Sequence, residues 1–571
     1  MSSAAFSDML ALKNCFVARN LSNVCEPLRF LFVGSFDSSL TSHRCYLELS
    51  PSGMVRVVSP FDAVTQAQLR RVRPRGCWRG QRKGWEFPLA SMQALQSALG
   101  KRFHIRDDLK QWMAWSHQPL PPLPPHRELI AAADLEDPLQ DGRQPLAHQR
   151  SGARWLLARR GAVLADEMGL GKTLTALLAA RALARCASLR VLVVAPVGLH
   201  AHWQREADAV AQVVQLVSWA RLPPELPEAG TVLLVDEAHF AQTLQARRTE
   251  ALLRLARHPR LRAIWMLTGT PMKNGRPKQL FPLLAAIDHP ISRDQQRFEE
   301  MYCQGHWRER PGRHRQWQAD GASQLEELRQ LTRPLILHRR KRQVIGLPPK
   351  QRRHIPIVLA QAESVGFDHR VGLVIEDYRY RVRKGEVRSD AESLAVLTSL
   401  RRISAEFKLP AVRALLDELR SRGEAVVLFS GFVDPLRLLH RQIGGELLTG
   451  RQRPAERQQA VDRFQSGASD LLLATYGTGG LGFTLHRARH VVLLERPWTP
   501  GDVDQAEDRC HRLGMTGDLI CHWMQLGPAD QLVDGLVASK AEQIEILLGP
   551  RRLAVARQPL ASMVRSCLQA A

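Results

Sequence analysis

The 571-residue chain has nine cysteines, yet no two form a CxxC pair and none has a spacing that fits a zinc ligand set or a disulfide framework. A zinc-finger scaffold and a disulfide-stapled secreted module are thereby excluded, and reduced thiols in a reducing compartment are expected. No apolar run approaches the roughly 18 residues of a membrane span, so the chain reads as soluble, with no membrane partner. The opening residues, MSSAAFSDMLALKNCF, lack a charged start followed by a sustained apolar core, which argues against a secretory leader. Low-complexity tracts are missing, and so is a tandem repeat of solenoid period. Acidic side chains are scarce beside basic ones: 56 Asp plus Glu stand against 80 Lys plus Arg, a net charge of +24. That surplus suits a polyanion as partner, nucleic acid first, and speaks against an enzyme of small-molecule metabolism. Arginine outnumbers lysine, which together with the lack of long polar tails points to a bacterial cytoplasm (a nucleus, if the source is eukaryotic).

The length predicts several domains. Residues 1–125 form an expected N-terminal accessory domain of α+β type, closed by a stiff proline-rich joint, QPLPPLPPHREL. From about residue 145 short apolar runs alternate with helical segments. AVLAD, RVLVVAP, TVLLVDEA and AIWMLTGTP form one series, and AVVLFSGF, GGELLTG, DLLLATYG and HVVLLERP a second. Runs of this length bounded by turns are what buried parallel strands look like. Two such series predict an α/β fold with two tandem doubly wound lobes, at 126–345 and 346–571, each with a helical insertion, and helices at the C-terminal end. The stretch from about 280 to 420, which includes RERPGRHRQWQ and HRRKRQ, reads as more helical and charged.

Chemistry begins at VLADEMGLGKTLTALLAARAL. A glycine turn with Gly169 and Gly171 separates an apolar run from an alanine-leucine helix, and Lys172 and Thr173 open that helix. Such a turn aims backbone N–H groups at an anion, and the helix adds its positive end. Lys172 would neutralise nucleotide phosphates and Thr173 would offer a hydroxyl to magnesium. The pattern GxxxxGK[ST] fails at one position, because Asp166 stands where the first glycine belongs. Further on, Asp236 and Glu237 end an apolar run. An aspartate there can hold the magnesium shell while the neighbouring glutamate polarises the attacking water.

Taken together, DEMGLGKT, DEAH and LTGTP resemble the motifs of superfamily-two helicases, and of their Swi/Snf-type DNA translocases in particular. PLAHQRSGARWLL is similar to that family's glutamine element, which makes Gln149 the candidate for the adenine edge. VVAPVGLHAHWQRE follows, with Trp203 and Glu206 in place, and LRQLTRPLILHRRKRQVIGLPPK resembles the link between lobes. LFSGF, LLLATYGTGGLGFTL and ERPWTPGDVDQAEDRCHRLG complete the likeness, which covers about residues 140–550 in family order. The resemblance implies two RecA-like lobes, ATP and magnesium as cofactors, and a DNA-dependent ATPase. It implies that Arg509 and Arg512 are arginine fingers, that Gln505 helps bind nucleotide, and that Trp498 lies at the DNA. The two arginines stand three apart, about one helical turn, so both can point into a cleft. One departure is Met515-Thr516, where the family has glutamine after its glycine.

The implied track is double-stranded or branched DNA, gripped through phosphates by lobes that close and reopen. RGQRKGWEFPLASMQALQSAL resembles the HARP module of annealing helicases over about residues 55–115, with Arg75, Arg79, Arg82 and Lys83 as candidate DNA contacts. Trp85, Phe87 and Leu89 alternate with Glu86 and Pro88, as one face of a strand would. That likeness implies remodelling of forks or annealing of strands in repair, by a monomer, with a repair or replication protein as a further partner. A remodeller of stalled RNA polymerase, an RNA helicase-like ATPase and a non-hydrolysing DNA-binding scaffold stand as the alternatives.

Overall fold

A computed structural model describes residues 45–542 apart from 61, 80–83, 101–102, 118–121, 227–229, 273, 311–312, 386–389, 480–482, 513, 528–529, 532, 536–537, 539 and 541. Two compact units divide the described residues, one made of 45–50 and 55–110, the other of 51–54 and 111–542.

The smaller unit is built on a five-stranded sheet. Its strands are β1 (Tyr46–Leu49), β2 (Val55–Val58), β3 (Cys77–Arg79), β4 (Gly84–Phe87) and β5 (His104–Ile105), in the order β3-β4-β2-β1-β5. Alternate residues Leu47, Leu49, Val55 and Val57 are buried together with Leu69, Leu95 and Leu99 from the helices Ala63–Arg71 and Met92–Leu99. Asp62 caps the first of these helices by accepting the N–H groups of Val64 and Thr65. The expected alternation of Trp85, Phe87 and Leu89 along one strand stops early. Pro88 carries no N–H for a ladder, β4 ends at Phe87, and Leu89 opens a 3-10 turn. Glu86, expected on the open face, is buried.

The larger unit contains the two tandem RecA-like lobes. Lobe 1 holds β6 (Gly161–Leu164), β7 (Arg190–Val194), β8 (Gln215–Val217), β9 (Thr231–Val235), β10 (Leu261–Leu267) and β13 (Ile336–Leu337), ordered β13-β6-β10-β9-β7-β8 and parallel throughout. Its strands are buried on both faces, which is why their sequences run apolar without alternation. Val191, Val193, Val232, Leu234, Trp265 and Leu267 fill the core on one side; Leu192, Val194, Leu233, Val235, Ile264 and Met266 fill the other. Lobe 2 repeats the plan with β14 (Lys350–Pro356), β15 (Val426–Ser430), β16 (Glu446–Leu448), β17 (Leu471–Thr475), β18 (His490–Leu493) and β19 (Leu519–Gln525), ordered β14-β19-β18-β15-β17-β16. All eight quoted apolar runs lie on these strands. Both sheets aim the carboxyl ends of their central strands at loops that carry the polar motifs, as doubly wound sheets do.

The stretch 280–420 departs from its helical reading at the edge strands β13 and β14 and at one hairpin. Between the helices Gln295–Tyr302 and Leu325–Thr332 lies an antiparallel hairpin, β11 (His306–Arg310) with β12 (Arg313–Gln318). Its many charges hid a period of two, since Trp307 pairs with Trp317 across the strands. Helices account for most of the rest, chiefly Gln361–Arg383, Asp390–Phe407 and Leu409–Ser421. No helix among the described residues is long and apolar enough to cross a membrane.

Candidate active site

The loop after β6 turns through two left-handed glycines, Gly169 at φ +85° and Gly171 at φ +72°. Gly171 is doubly constrained, because a Cβ there would also collide with the Gln149 amide. Gln149 is thus placed against the loop, its Oε1 held by the Leu146 N–H at 2.9 Å, and His148 reaches the Leu170 carbonyl at 2.9 Å. Helix Lys172–Ala187 starts at the loop's end and is buried along most of its length between β-sheet and helices. Lys172 Nζ donates to the carbonyls of Asp166 at 2.8 Å and Glu167 at 3.3 Å. Burial lowers its pKa, opposed by the charges of Glu237, Asp166 and Asp236. Thr173 follows, partly buried in the first helical turn.

The aspartate that replaces the first loop glycine is tied down. Asp166 is almost fully buried and accepts Arg339 Nε at 3.0 and 3.2 Å and the Arg339 N–H at 3.0 Å. Arg339 also donates to the His148 carbonyl and to Ser151 Oγ at 3.0 Å. The loop is therefore braced by the segment that leaves lobe 1 after β13.

At the end of β9, Asp236 and Glu237 take different partners. Asp236 accepts Trp203 Nε1 at 2.7 Å and the Glu237 N–H at 2.8 Å, and its carbonyl accepts Trp219 Nε1 at 3.0 Å. Glu237 sits at φ +48°, a conformation costing a non-glycine residue about 1–2 kcal/mol. Its carboxylate pairs with His239 Nδ1 at 3.1 Å. Burial and then the Glu237 charge push the Asp236 carboxyl up to about 6. For Glu237, burial is outweighed by His239, Lys172 and Arg509, which hold it below the usual range. A base that stays ionised beside a carboxylate crowded by negative charge is a donor set that welcomes a divalent cation. Asp236 and the Thr173 hydroxyl are the residues that fit magnesium. Gln242, just beyond the acidic pair, donates to the carbonyls of Thr270 at 3.1 Å and Pro271 at 2.9 Å, joining it to the LTGTP segment. Gly269 of that segment leaves room for Met168 and lies against Lys172.

Lobe 2 closes the site from across the cleft. Helix Pro500–Glu507 ends before either arginine, so Arg509 and Arg512 sit in the irregular turn that follows and not on a helix face as their spacing suggested. Arg512 Nε donates to the Asp508 carbonyl and Nη1 to Thr484 Oγ1, each at 3.0 Å, which aims it by the backbone. Its Cγ lies 3.6 Å from where a Gly169 Cβ would be, directly over the phosphate loop. Arg509 is buried, its pKa drawn down to about 9 by burial and by Arg512 while Glu237 and Asp236 oppose the shift. Gln505 lies half-buried on helix Pro500–Glu507.

The structure therefore gathers Gln149, Gly169, Gly171, Lys172, Thr173, Asp236, Glu237, Arg509 and Arg512 at one cleft. Trp498 is elsewhere: its half-buried ring packs by Tyr378 and Val396, with the Arg401 guanidinium 4.5 Å from the ring centre. Arg75 is exposed in the smaller unit, whereas Arg82, Lys83 and the Arg79 side chain lie outside the described residues.

Sequence reasoning missed Arg339, Lys341 and His239 as working parts. Lys341 is nearly fully buried; its N–H meets Glu167 Oε2 at 2.8 Å, while its Nζ reaches Asp508 Oδ2 at 3.0 Å and the His511 carbonyl at 2.9 Å. Lys350 joins Asp508 and Glu507 at 3.2 Å each. His239 closes the DEAH run, while the signal for the two cations was HRRKRQ, and a basic run does not announce which of its members turn inward.

The SNF2-related domain family matches residues 148–221 and 227–409, and the helicase conserved C-terminal domain family matches 408–514. The chain is 28% identical over 449 residues to the DNA annealing helicase and endonuclease ZRANB3 of Mus musculus, a match covering 71% of this chain and 41% of the mouse protein. To the SWI/SNF-related matrix-associated actin-dependent regulator of chromatin subfamily A-like protein 1 of Drosophila melanogaster it is 26% identical over 515 residues, 82% of this chain and 64% of the fly protein. The Sulfolobus solfataricus SWI2/SNF2 ATPase core in complex with dsDNA aligns at TM-score 0.33 and 21% identity, covering 73% of this chain and 95% of that one. The chain thus spans about two fifths of the length of the mouse relative.

Proposed function

The chain belongs to the SNF2-type ATPases of helicase superfamily two, and from that premise we propose that it is an ATP-driven translocase on double-stranded DNA that remodels branched DNA. The observation that carries this is the completion of one reaction centre by both lobes: Lys172, Asp236 and Glu237 on one side, Arg509 and Arg512 on the other. Lys172 and the loop N–H groups bind phosphates; Glu237, kept ionised, takes a proton from the attacking water. Magnesium held by Asp236 and Thr173 would neutralise phosphate charge. Arg509 and Arg512 stabilise negative charge as the terminal phosphate leaves, and they can do so only when the lobes are closed. Hydrolysis thereby becomes relative movement of two bodies. The charge of +24 supplies grip on a phosphate backbone without sequence preference.

Fork remodelling or strand annealing is the finer reading. It is supported by the exposed Arg75 and Trp78 of the small unit and by the annealing-helicase relatives. The test is ATP turnover without nucleic acid and with single-stranded DNA, duplex, fork or RNA, in the native chain and in Lys172→Ala. Duplex and fork are expected to stimulate the native chain, and Lys172→Ala to abolish turnover. Stimulation by RNA alone would overturn the DNA assignment, and unchanged turnover in the variant would overturn the site.

A further inference from the structure

The β11–β12 hairpin takes no part in the nucleotide site, and its construction is unusual for an insertion. Its root is fixed. Trp317 packs against the lobe 1 core and donates its indole N–H to Glu299 Oε2 at 2.5 Å. Gly305 allows that approach, since a Cβ there would lie 2.7 Å from the Trp317 ring and 2.8 Å from the Glu299 carbonyl. Just after β12, Asp320 bridges to Arg276 at 3.1 Å. Trp307 stands on the same face as Trp317, edge to face with it at 5.3 Å between ring centres, yet is 58% exposed. Arg315 and Glu309 pair with each other at 2.8 Å. Arg308, on the opposite face, is exposed and has no carboxylate partner among the described residues. Over its length the hairpin carries four arginines to one glutamate.

A single exposed tryptophan is ordinary on a protein surface. Here the indole is propped by a second, anchored indole, and the next residue along the strand, on its other face, is the exposed Arg308. Ring and cation together are the chemistry that stacks an unpaired base and holds the phosphates beside it. We propose that this hairpin is the branch-sensing contact: Trp307 stacks on the base exposed where a duplex opens, and Arg308 holds the adjoining backbone. A continuous duplex keeps its base faces covered by neighbouring pairs, so it offers the ring nothing to stack on.

This inference rests on the reading of the chain as a motor on DNA, and the experiment separates the two. The full chain, Trp307→Ala, Trp307→Phe and Arg308→Ala are compared for binding to a fork and to the matching linear duplex, and for duplex-stimulated ATP turnover. A fork with 5-iodouracil at its first unpaired position is irradiated to map the contact. The native chain is expected to prefer the fork, and Trp307→Ala to bind it about tenfold more weakly. Duplex binding and duplex-stimulated turnover should be unchanged in that variant, and Trp307→Phe should keep most of the preference. Arg308→Ala should weaken fork binding and lower its salt dependence by about one phosphate contact. A crosslink at Trp307 supports the assignment. Equal fork preference in the native chain and Trp307→Ala, no preference in the native chain, or a crosslink only elsewhere would overturn it. Failure of the motor reading shows separately, as turnover that no DNA stimulates.

Discussion

At the scale of single residues, the two arginines of lobe 2 divide their work by burial. Arg509 lies beside Glu237 and Asp236, where its charge meets the proposed general base. Arg509→Ala is expected to lower turnover by about 100-fold while nucleotide binding changes little, as befits a donor aimed at the transition state. Single-turnover hydrolysis with a parallel nucleotide titration checks this; lost affinity would mean a binding role instead. Asp166 permits a sharper test. Asp166→Gly would restore the complete glycine pattern of a phosphate loop, yet it removes the partner of a largely buried Arg339. The chain should become less stable by about 3 kcal/mol, because an uncompensated inward guanidinium costs more than a glycine gains. Denaturant unfolding decides the sign.

At the scale of elements, the central strands of both lobes were legible because burial on two faces leaves an apolar run, except β19, whose LICHWMQ is broken by His522 and Gln525. Strands β13 and β14 were not. The first is two residues long, and the second reads KQRRHIP, an exposed edge strand whose arginines look like a loop. The β11–β12 hairpin was missed because its charge outweighed its alternation. In the site, Lys172 and Asp236 announce themselves through position, but Trp203, which orients Asp236, and Arg339, which braces the loop through Asp166, come from separate motifs that only folding brings together. Lobe 2 has a titratable pair that no motif marks. His490 Nδ1 and His522 Nε2, on neighbouring strands β18 and β19, are 3.0 Å apart. Burial, and then His490 and Arg353, push His522 down to about 4 from 6.5. A depressed base binds its proton more readily once unfolded, so stability held above about pH 6.5 declines as pH falls toward 4, by up to about 3 kcal/mol. Thermal melts between about pH 7 and about pH 5 should show a steep drop that His522→Gln makes shallower.

At the scale of the whole molecule, the lobes are joined by charge as well as by chain. Lys341 is bound through its N–H to Glu167 of lobe 1 and through its ammonium to Asp508 of lobe 2. Burial opposes ionisation of Asp508, but Lys350 and Lys341 outweigh it and hold the carboxyl down at about 2. Lys341→Met leaves Asp508 its Lys350 partner, so folding should suffer little, by about 1 kcal/mol. The lobes should part more readily, seen as a larger radius of gyration in X-ray scattering without nucleotide. An unchanged radius would show that other contacts hold the cleft.

For the proposed motor, that junction also sets what a stroke must spend. When Lys341 and Asp508 separate, each exchanges its mate for water, and regained hydration offsets most of the lost attraction. A greasy interface would resist such parting in proportion to its area. An ionic catch releases almost freely yet re-engages in only one alignment, so a machine hinged on it can cycle many times without drifting out of register.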